Sequence, residues 1–336
     1  MGDCLLREHG GQVLDASRMF GIPVADWLDL STGIAPWVYP VPDLPAAVWQ
    51  RLPEDDDGLI GAACEYYQAT HLLPVPGSQA AIMALPRLFS SRRVAVLSPG
   101  YGEYPAAWQV AGHVVNLVSS ERVLSADNEA DVVMLANPNN PDGMVFQKSR
   151  LLGMAQRLWA TRRWLIIDEA FADADDQQSL AKLAGSPKAP NVIVLRSLGK
   201  FFGLAGARVG FCIARPDMLV RLQRQIGPWS VSHPARAVAR VALADAAWHH
   251  IQKRALHEAS SRLAAMLLAH GMTPHGGTAL FQYVRHSQAS SFAEIFARQG
   301  ILVRCFTNPA ALRFGLPGNE ADWQRLATAL KSLSPA

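Results

Sequence analysis

A lysine that lies between phosphate-binding residue types is the strongest chemical signal in this 336-residue sequence. Lys200 belongs to the run SLGKFFGLAGARVG, three residues after Ser197 and eight residues before Arg208. A neutral, desolvated lysine amine condenses with an aldehyde, and an arginine fork and a serine hydroxyl are suited to a phosphate dianion. Pyridoxal 5'-phosphate (PLP) carries both groups, so the run predicts a PLP site.

Two other phosphate-binding motifs do not fit this run. A Walker loop needs a glycine five residues before its Gly-Lys pair and a Ser or Thr after the lysine, but the chain has Val194 and Phe201 there. A dinucleotide fingerprint needs GxGxxG after a strand, and the glycines that follow Lys200 have the wrong spacing. A glycine-rich turn with an incidental lysine stays open as the alternative.

Two further segments offer groups for the same cofactor. Gly77-Ser78-Gln79 opens an apolar helical segment, and the N–H groups at a helix start favour an anion; a plain N-cap at Ser78 is the alternative. Asp168 closes the apolar run WLIID, where a carboxylate is costly unless it meets a cation. A protonated pyridine nitrogen is such a cation and makes the ring an electron sink, whereas a helix cap is the alternative role.

Side chains in two turns and at two strand ends complete the candidates. Asn140, in ANPNNPDG, could donate to the phenolate oxygen of PLP, and the ring of Tyr101 could lie on the pyridine face; turn formation or packing would also explain them. Arg304 and Arg313 end short apolar runs, and their forks suit a carboxylate or a phosphate. This pair indicates a substrate with two anionic groups, with surface placement as the alternative.

The elements that must position these groups are those of an α/β fold. From about residue 58 to residue 225, helical patterns alternate with β-rich runs, which indicates a mostly parallel sheet covered by helices on both faces. The runs are 93–97, 114–118, 131–136, 164–168, 191–196 and 208–214. Four of them end just before a candidate site, and ligands bind at the carboxyl ends of strands in such sheets.

An alanine-rich helical stretch, residues 233–270, then leads to a second lobe of α+β character. It has a strand near 280–284, a helix near 291–299, short strands near 301–304 and 311–314, and a closing helix from Glu320. We therefore predict an N-terminal segment, residues 1–40, that joins the small domain and the substrate pocket. A large PLP-binding domain would follow over residues 41–230, and a small C-terminal domain over residues 231–336.

Composition argues against several classes of function. The net charge is +3 and the basic residues are dispersed, so nucleic-acid binding is not indicated. No apolar run approaches the roughly 18 residues of a membrane span, and the first residues lack the features of a signal peptide. We therefore expect a cytoplasmic protein that binds no membrane. The four cysteines and ten histidines are scattered, which predicts neither a disulfide framework nor a metal site.

These motifs together resemble those of fold type I PLP-dependent enzymes of the aminotransferase superfamily, over nearly the whole chain. Within it, the chain is similar to histidinol-phosphate aminotransferases and, more closely, to the L-threonine-O-3-phosphate decarboxylases of cobalamin (vitamin B12) biosynthesis. The closer resemblance rests on HGG (9–11), GIPVADWLDLSTGIAP (21–36) and DEAF (168–171). It implies a large domain with a mostly parallel central sheet, a smaller α+β domain and a homodimer.

The resemblance also implies a role for each candidate residue. Lys200 would form the Schiff base, Asp168 would pair with the ring nitrogen, Asn140 would donate to O3', and Tyr101 would stack on the ring. The cofactor phosphate would be held by Gly77, Ser78, Gln79, Ser197 and Arg208. The substrate carboxylate would meet Arg313, its phosphate would meet Arg304, His9 and Gly10, and the pocket would be lined by Gly33 and Ile34.

Four positions depart from the pattern of these relatives. Phe171 stands where many aminotransferases have a tyrosine, and Leu52 stands where relatives often have a tyrosine that reaches the neighbouring subunit's phosphate site. Asp142 replaces the threonine of NPTG, and Gly199 replaces a serine next to the lysine.

The resemblance favours decarboxylation of L-threonine O-3-phosphate to (R)-1-amino-2-propanol O-2-phosphate. Transamination of a phosphorylated amino acid stays open, because the same residues would serve it when the Cα–H bond rather than the Cα–carboxylate bond stands perpendicular to the ring. A non-catalytic PLP-fold binding module is a further alternative. A dehydrogenase or kinase is less well supported, because its phosphate fingerprint is missing from the sequence.

Overall fold

Thirteen strands and twelve α-helices form two structural units in the computed structural model, which describes residues 9–90 and 92–333. The strands are β1 (Leu28–Asp29), β2 (Leu72–Val75), β3 (Arg93–Leu97), β4 (Val114–Val118), β5 (Val132–Ala136), β6 (Trp164–Asp168), β7 (Val192–Ser197), β8 (Gly210–Ile213), β9 (Gly276–Thr278), β10 (Phe281–Arg285), β11 (Ile301–Leu302), β12 (Arg304–Thr307) and β13 (Ala310–Gly315). The helices are α1 (Val13–Phe20), α2 (Ala46–Gln50), α3 (Leu59–Tyr67), α4 (Gly77–Ala84), α5 (Glu103–Val110), α6 (Ser120–Val123), α7 (Lys148–Ala160), α8 (Pro216–Ile226), α9 (His233–Ala244), α10 (Ala246–Ala269), α11 (Ala289–Arg298) and α12 (Glu320–Lys331).

A seven-stranded sheet forms the core of the larger unit, which comprises Val38–Asn140 and Val145–His250. Its strand order is β2-β8-β7-β6-β5-β3-β4. The five strands from β4 to β7 are parallel, whereas β8 runs antiparallel to both β7 and β2. Strand β5 is buried throughout, and β6 and β7 are buried except at one end, which is why these strands read as continuous apolar runs.

The mostly parallel sheet was predicted, but three local features differ from the prediction. Strand β2 was missed, and it lies at one edge of the sheet, where its Pro74 is tolerated. The apolar helical segment, predicted over residues 80–89, is instead helix α4 from Gly77 to Ala84, because a 3₁₀ turn that contains Pro86 follows it. The stretch 233–270 is two helices rather than one, and the Asp245 carboxylate between them accepts the Trp248 N–H at 2.9 Å.

Within the described residues, the smaller unit contains residues 9–37, the segment Pro141–Met144 and residues 251–333. Strands β12-β13-β10-β9 form an antiparallel sheet, and β1 pairs with β11 in parallel. Helix α11 packs on this sheet through Phe296, whose ring meets that of Phe314 edge-on at 5.5 Å. Asn319 caps α12 by accepting the Asp322 N–H at 3.0 Å.

The chain crosses from the larger unit to the smaller one within α10. The boundary predicted at residue 230 falls inside the larger unit, which continues to His250. Helix α9 belongs there because its Arg236 forms an ion pair with Asp57 at 2.6 Å, just before α3. No described helix combines the length and apolarity that a membrane span requires.

Candidate active site

A cavity of about 230 Å³ lies at the carboxyl ends of β3, β5, β6 and β7. The structure brings together around it all nine residues predicted to hold a cofactor: Gly77, Ser78, Gln79, Tyr101, Asn140, Asp168, Ser197, Lys200 and Arg208. Parallel strands end at the same edge of the sheet, so the loops after these four strands meet there. The segment from Gly77 to Gln79 enters from the start of α4.

Lys200 lies in the turn that follows β7. The side chains of Leu198, Phe201 and Phe202 on either side of it are fully buried and anchor the turn. The Lys200 Nζ atom lies 5.2 Å from the centre of the Phe171 ring, which also lines the cavity. The amine is therefore held at an aromatic wall of the cavity.

Asp168 ends β6 and is buried. Its Oδ2 accepts the Tyr104 hydroxyl at 2.9 Å, and its Oδ1 accepts the Ala170 N–H at 2.9 Å. Burial is the main influence and raises the pKa of Asp168, while these two hydrogen bonds and the charge of Lys200 oppose the rise. A buried carboxylate of this kind is stabilised by a further cation, and a protonated pyridine nitrogen would supply one.

Close backbone approach builds an anion cradle on the other side of the cavity. Gly77 has φ +70°, and a Cβ there would lie 2.9 Å from Arg208 Nη2. A Cβ on Gly210 would lie 2.5 Å from the Ser78 nitrogen. The start of α4, the guanidinium of Arg208 and the nearby Ser197 hydroxyl thus line one side of the cavity, and they match a phosphate group.

A hydrogen-bonded chain orients Tyr101. Its hydroxyl donates to Gln79 Oε1 at 3.1 Å, and Gln79 Nε2 donates to Glu103 Oε2 at 3.2 Å. The Tyr101 ring meets the Tyr104 ring edge-on at 5.3 Å. The loop with Asn140 is held by its neighbour Asn137, which exchanges two hydrogen bonds with the Phe146 backbone.

A buried ion network lies next to the cavity and was not predicted from the sequence. Arg196 of β7 donates to Glu169 Oε2 at 2.8 Å and to Asp173 Oδ1 at 2.7 Å, and all three side chains are buried. Burial raises the pKa of Glu169, while Arg196 and hydrogen bonds from Ser179 and Leu180 oppose the rise. The available signal was an arginine inside the apolar run VIVLRS, which requires buried acidic partners.

Arg304 and Arg313 are direct neighbours in the sheet of the smaller unit, because they pair across β12 and β13. Arg313 is buried, lies 4.9 Å from the Phe281 ring centre, and donates to the Ser31 carbonyl at 2.8 Å. Burial, and next the charge of Arg304, lower the pKa of Arg313 to about 9, whereas Asp29 raises it. An added anion would stabilise this pair of guanidinium groups.

The loop of residues 9–11, here called the glycine loop, packs against Ser31. A Cβ on Gly10 would lie 2.5 Å from the Ser31 carbonyl oxygen, and the Gly11 N–H donates to Ser31 Oγ at 2.7 Å. The Ser31 hydroxyl in turn donates to Asp29 Oδ1 at 2.6 Å. Ser31 and Asp29 were not among the predicted residues, although the DLS spacing is that of an Asx turn.

A cavity of about 30 Å³ beside this loop is lined by His9, Gly10, Ser31 and Arg304, among others. The structure therefore brings together three of the residues predicted to hold the substrate phosphate. Arg313 adjoins the same segment through the Ser31 carbonyl. Gly33 is buried with φ +63°. The Ile34 N–H donates to Thr32 Oγ1 at 3.3 Å, so both predicted pocket residues lie in the turn that follows Ser31.

Two of the unusual positions have a structural explanation. A Cβ at Gly199 would lie 3.2 Å from the Ala205 Cα and 3.4 Å from Ser197 Oγ, so a serine would crowd this turn. Asp142 Oδ1 accepts the Met144 N–H at 3.1 Å and closes the turn locally. Leu52 is 61% exposed.

Across residues 9–90 and 92–333, no cluster of His, Cys, Asp or Glu could hold a metal ion.

The larger cavity fits PLP on the chemistry of its donors. An amine, a buried carboxylate and an anion cradle line one space, and they match the aldehyde, the ring nitrogen and the phosphate of the cofactor. The close Gly77 and Gly210 backbones leave room for a phosphate only because both residues lack a Cβ.

Comparisons with known proteins identify relatives over nearly the full length. The family description "Aminotransferase class I and II" matches residues 57–330. The chain is 49% identical over 323 residues to a threonine-phosphate decarboxylase of Pseudomonas aeruginosa, which covers 96% of this chain and 97% of that protein. A threonine-phosphate decarboxylase of a Sinorhizobium species is 40% identical over 328 residues, again with 96% and 97% coverage.

Solved structures show the same fold. Histidinol-phosphate aminotransferase from Sinorhizobium meliloti, in complex with PLP, has a TM-score of 0.82 at 22% identity and covers 96% of this chain and 95% of that one. L-threonine-O-3-phosphate decarboxylase from Porphyromonas gingivalis has a TM-score of 0.75 at 20% identity, with 90% and 98% coverage. The predicted fold type I architecture is confirmed.

Proposed function

This chain belongs to the class I and II aminotransferase family, and we propose that it is a PLP-dependent lyase that decarboxylates L-threonine O-3-phosphate. The product is (R)-1-amino-2-propanol O-2-phosphate, a precursor for cobalamin biosynthesis. The observation that carries the proposal is the near-full-length identity to two threonine-phosphate decarboxylases. The cavity supports it, because Lys200, Asp168 and an anion cradle line the same space.

The cofactor predicted from the Lys200 run is confirmed by family membership, because these enzymes depend on PLP. When bound, PLP supplies an aldehyde for the substrate amine and a ring that accepts the electrons left on Cα. Lys200 would hold the cofactor covalently, Asp168 would pair with its ring nitrogen, and Tyr101 and Asn140 would contact the ring. The phosphate would be held by Gly77, Ser78, Gln79, Ser197 and Arg208.

The protein's own groups then have three tasks in the reaction. Asp168 keeps a negative charge next to the ring nitrogen, so that the nitrogen keeps its proton. In its protonated form, the Lys200 amine would deliver a proton from Nζ to the substrate Cα after CO₂ leaves. The wall that contains Phe171 keeps this amine in partly apolar surroundings.

The substrate would be recognised by residues of the smaller unit. Arg313 suits the carboxylate, and Arg304 with His9 and Gly10 suits the phosphate, because each arginine offers a fork that fits an oxyanion. Gly33 and Ile34 would line the same pocket. The support is the pairing of the two arginines across β12 and β13 and the small cavity next to the glycine loop.

We further propose that the enzyme is a cytoplasmic homodimer. Leu52 and Trp229 are 61% and 62% exposed, and Pro53 and Trp229 line one cavity. Exposed large apolar side chains of this kind are typical of an interface. Sedimentation equilibrium of the PLP-loaded protein tests this, and a monomer at micromolar concentration would contradict it.

The decisive experiment uses the PLP-loaded protein and L-threonine O-3-phosphate. We expect release of CO₂ and of aminopropanol phosphate in equal amounts, without any keto-acid acceptor. Borohydride reduction followed by peptide mass analysis should locate the cofactor on Lys200, and the Lys200→Ala variant should show neither the modification nor turnover. Formation of a keto acid that depends on a second amino-acid and keto-acid pair would instead identify an aminotransferase.

A further inference from the structure

Tyr104 lines the larger cavity and hydrogen-bonds to Asp168, the predicted partner of the ring nitrogen. It lies in the first turn of α5 and is 2% exposed. Its hydroxyl donates to Asp168 Oδ2 at 2.9 Å, while the Ala170 N–H donates to Asp168 Oδ1 at 2.9 Å. The two oxygens of this buried carboxylate thus each receive a donor, and the donors come from different elements.

We propose that Tyr104 is a positioning residue that keeps the Asp168 carboxylate ionised and aimed at the ring nitrogen of the cofactor. This inference rests on the proposed function, because it assumes that Asp168 pairs with that nitrogen. No motif in the sequence marks Tyr104, because the residue lies 64 positions from Asp168 along the chain.

The direction of this hydrogen bond is fixed by the surroundings of Tyr104. Burial, and then the charge of Asp168, hold the pKa of the Tyr104 phenol well above its usual value. The hydroxyl therefore keeps its proton and serves as a donor to the carboxylate at all working pH values. The Tyr101 ring, edge-on at 5.3 Å, restricts how the Tyr104 ring can turn.

The consequence for Asp168 follows from its burial. Desolvation raises the pKa of this carboxyl group, and the hydrogen bond from Tyr104 is the first influence that opposes the rise. Without the hydroxyl, the buried carboxylate has lost a donor that favours its charged form. Asp168 then competes more strongly for the proton on the ring nitrogen, and the ring becomes a weaker electron acceptor.

The matched test compares Tyr104→Phe with Tyr39→Phe. Tyr39 is also buried, and its hydroxyl also donates to a carboxylate, that of Asp245 at 3.3 Å. Asp245 does not line the cavity. Each variant therefore loses one tyrosine–carboxylate hydrogen bond in the same structural unit, but only one of these bonds reaches the proposed cofactor partner.

The primary measurement is the ¹⁵N chemical shift of the ring nitrogen in protein reconstituted with ¹⁵N-labelled PLP. In the wild type and in Tyr39→Phe we expect the shift of a protonated nitrogen. In Tyr104→Phe we expect the ¹⁵N shift to move toward the value of an unprotonated nitrogen. We also expect kcat to be about tenfold lower and the acid limb of the pH–rate profile to lie about one pH unit higher. A Tyr104→Phe protein with the wild-type shift and limb would overturn the proposal.

A second variant covers the case in which Tyr104→Phe does not fold. 3-Fluorotyrosine at position 104 keeps the ring and its packing but makes the phenol a stronger donor, so the acid limb should move to lower pH. An unchanged limb, or one that moves to higher pH, would contradict the proposal. A wild-type protein that binds PLP but releases no CO₂ would refute the proposed function alone, because the ¹⁵N shift still reports on Tyr104.

Discussion

Replacement of Arg196 by methionine should destabilise the protein in a pH-dependent way. The Arg196 guanidinium contacts Glu169 at 2.8 Å and Asp173 at 2.7 Å, and its Cζ lies 4.6 Å from the centre of the Tyr67 ring. Methionine preserves much of the apolar packing but removes the cation. Two carboxylates that are fully inaccessible to solvent then lack the charge that compensates them.

The expected loss is about 3–5 kcal/mol in the free energy of unfolding, which is the usual cost of breaking a buried ion pair by removing one partner. This is a large part of the roughly 5–15 kcal/mol that typically stabilises a native protein. The loss should fall when Glu169 and Asp173 are also replaced, by glutamine and asparagine, because no uncompensated charge then remains buried.

The sign of the pH dependence follows from Glu169. Its folded-state pKa is already raised above 4.5 by burial, with Arg196 opposing the rise. Without Arg196 the folded-state pKa rises further, so the folded protein binds more protons than the unfolded chain at pH values above 4.5. Stability then falls as pH rises through this window. The deficit of Arg196→Met should be smallest near pH 4.5 and should grow toward neutral pH.

Urea unfolding followed by far-ultraviolet circular dichroism, at several pH values from 4.5 to 8, measures this deficit. The triple variant Arg196→Met, Glu169→Gln, Asp173→Asn is the matched control and should show a smaller deficit with little pH dependence. A deficit of Arg196→Met below about 1 kcal/mol, the size of an exposed pair, would refute the reasoning. So would a deficit that does not change with pH.

Three further outcomes follow from the two cavities. Gly77→Ala should raise the dissociation constant of PLP about tenfold, because the added Cβ would approach Arg208 Nη2 at 2.9 Å and displace the guanidinium from the anion cradle. Equilibrium dialysis against PLP measures this. Gly61→Ala, with open space around its Cβ, is the control and should not change PLP affinity. Ser31→Ala should raise KM for threonine phosphate without changing the cofactor's absorbance, because the glycine loop loses its anchor. The pKa of Arg313 is lowered to about 9, so its cation is lost as pH rises through that value, and kcat/KM should fall there. An Arg313→Met variant that shows the same fall in kcat/KM at alkaline pH would contradict the assignment of this fall to Arg313.

Sequence patterns predicted the centre of the sheet well, for a physical reason. Strands β5, β6 and β7 are covered on both faces, so each appears as a continuous apolar run whose end is marked by a polar residue. Asp168 and Ser197 are such residues. Because parallel strands end at one edge, this pattern was enough to predict that the candidate cofactor residues line one cavity.

Contacts that depend on register could not be predicted in the same way. Arg196 and Glu169 are 27 residues apart, and they meet only because β6 and β7 are neighbours. The Tyr104 hydrogen bond to Asp168 spans 64 residues and joins a helix to a strand end. Ser31 was overlooked for a similar reason, because its partners lie in the glycine loop and in β13.

The arrangement of Arg304 and Arg313 itself argues for a substrate with two anionic groups. Residues directly opposite each other in an antiparallel pair project from the same face, and like charges there are destabilising. The effect of Arg304 on the pKa of Arg313 is in that direction, and Asp29 opposes it. A fold that keeps two guanidinium groups at one register position therefore carries a free-energy cost. A ligand with both a carboxylate and a phosphate would offer an oxyanion to each guanidinium group.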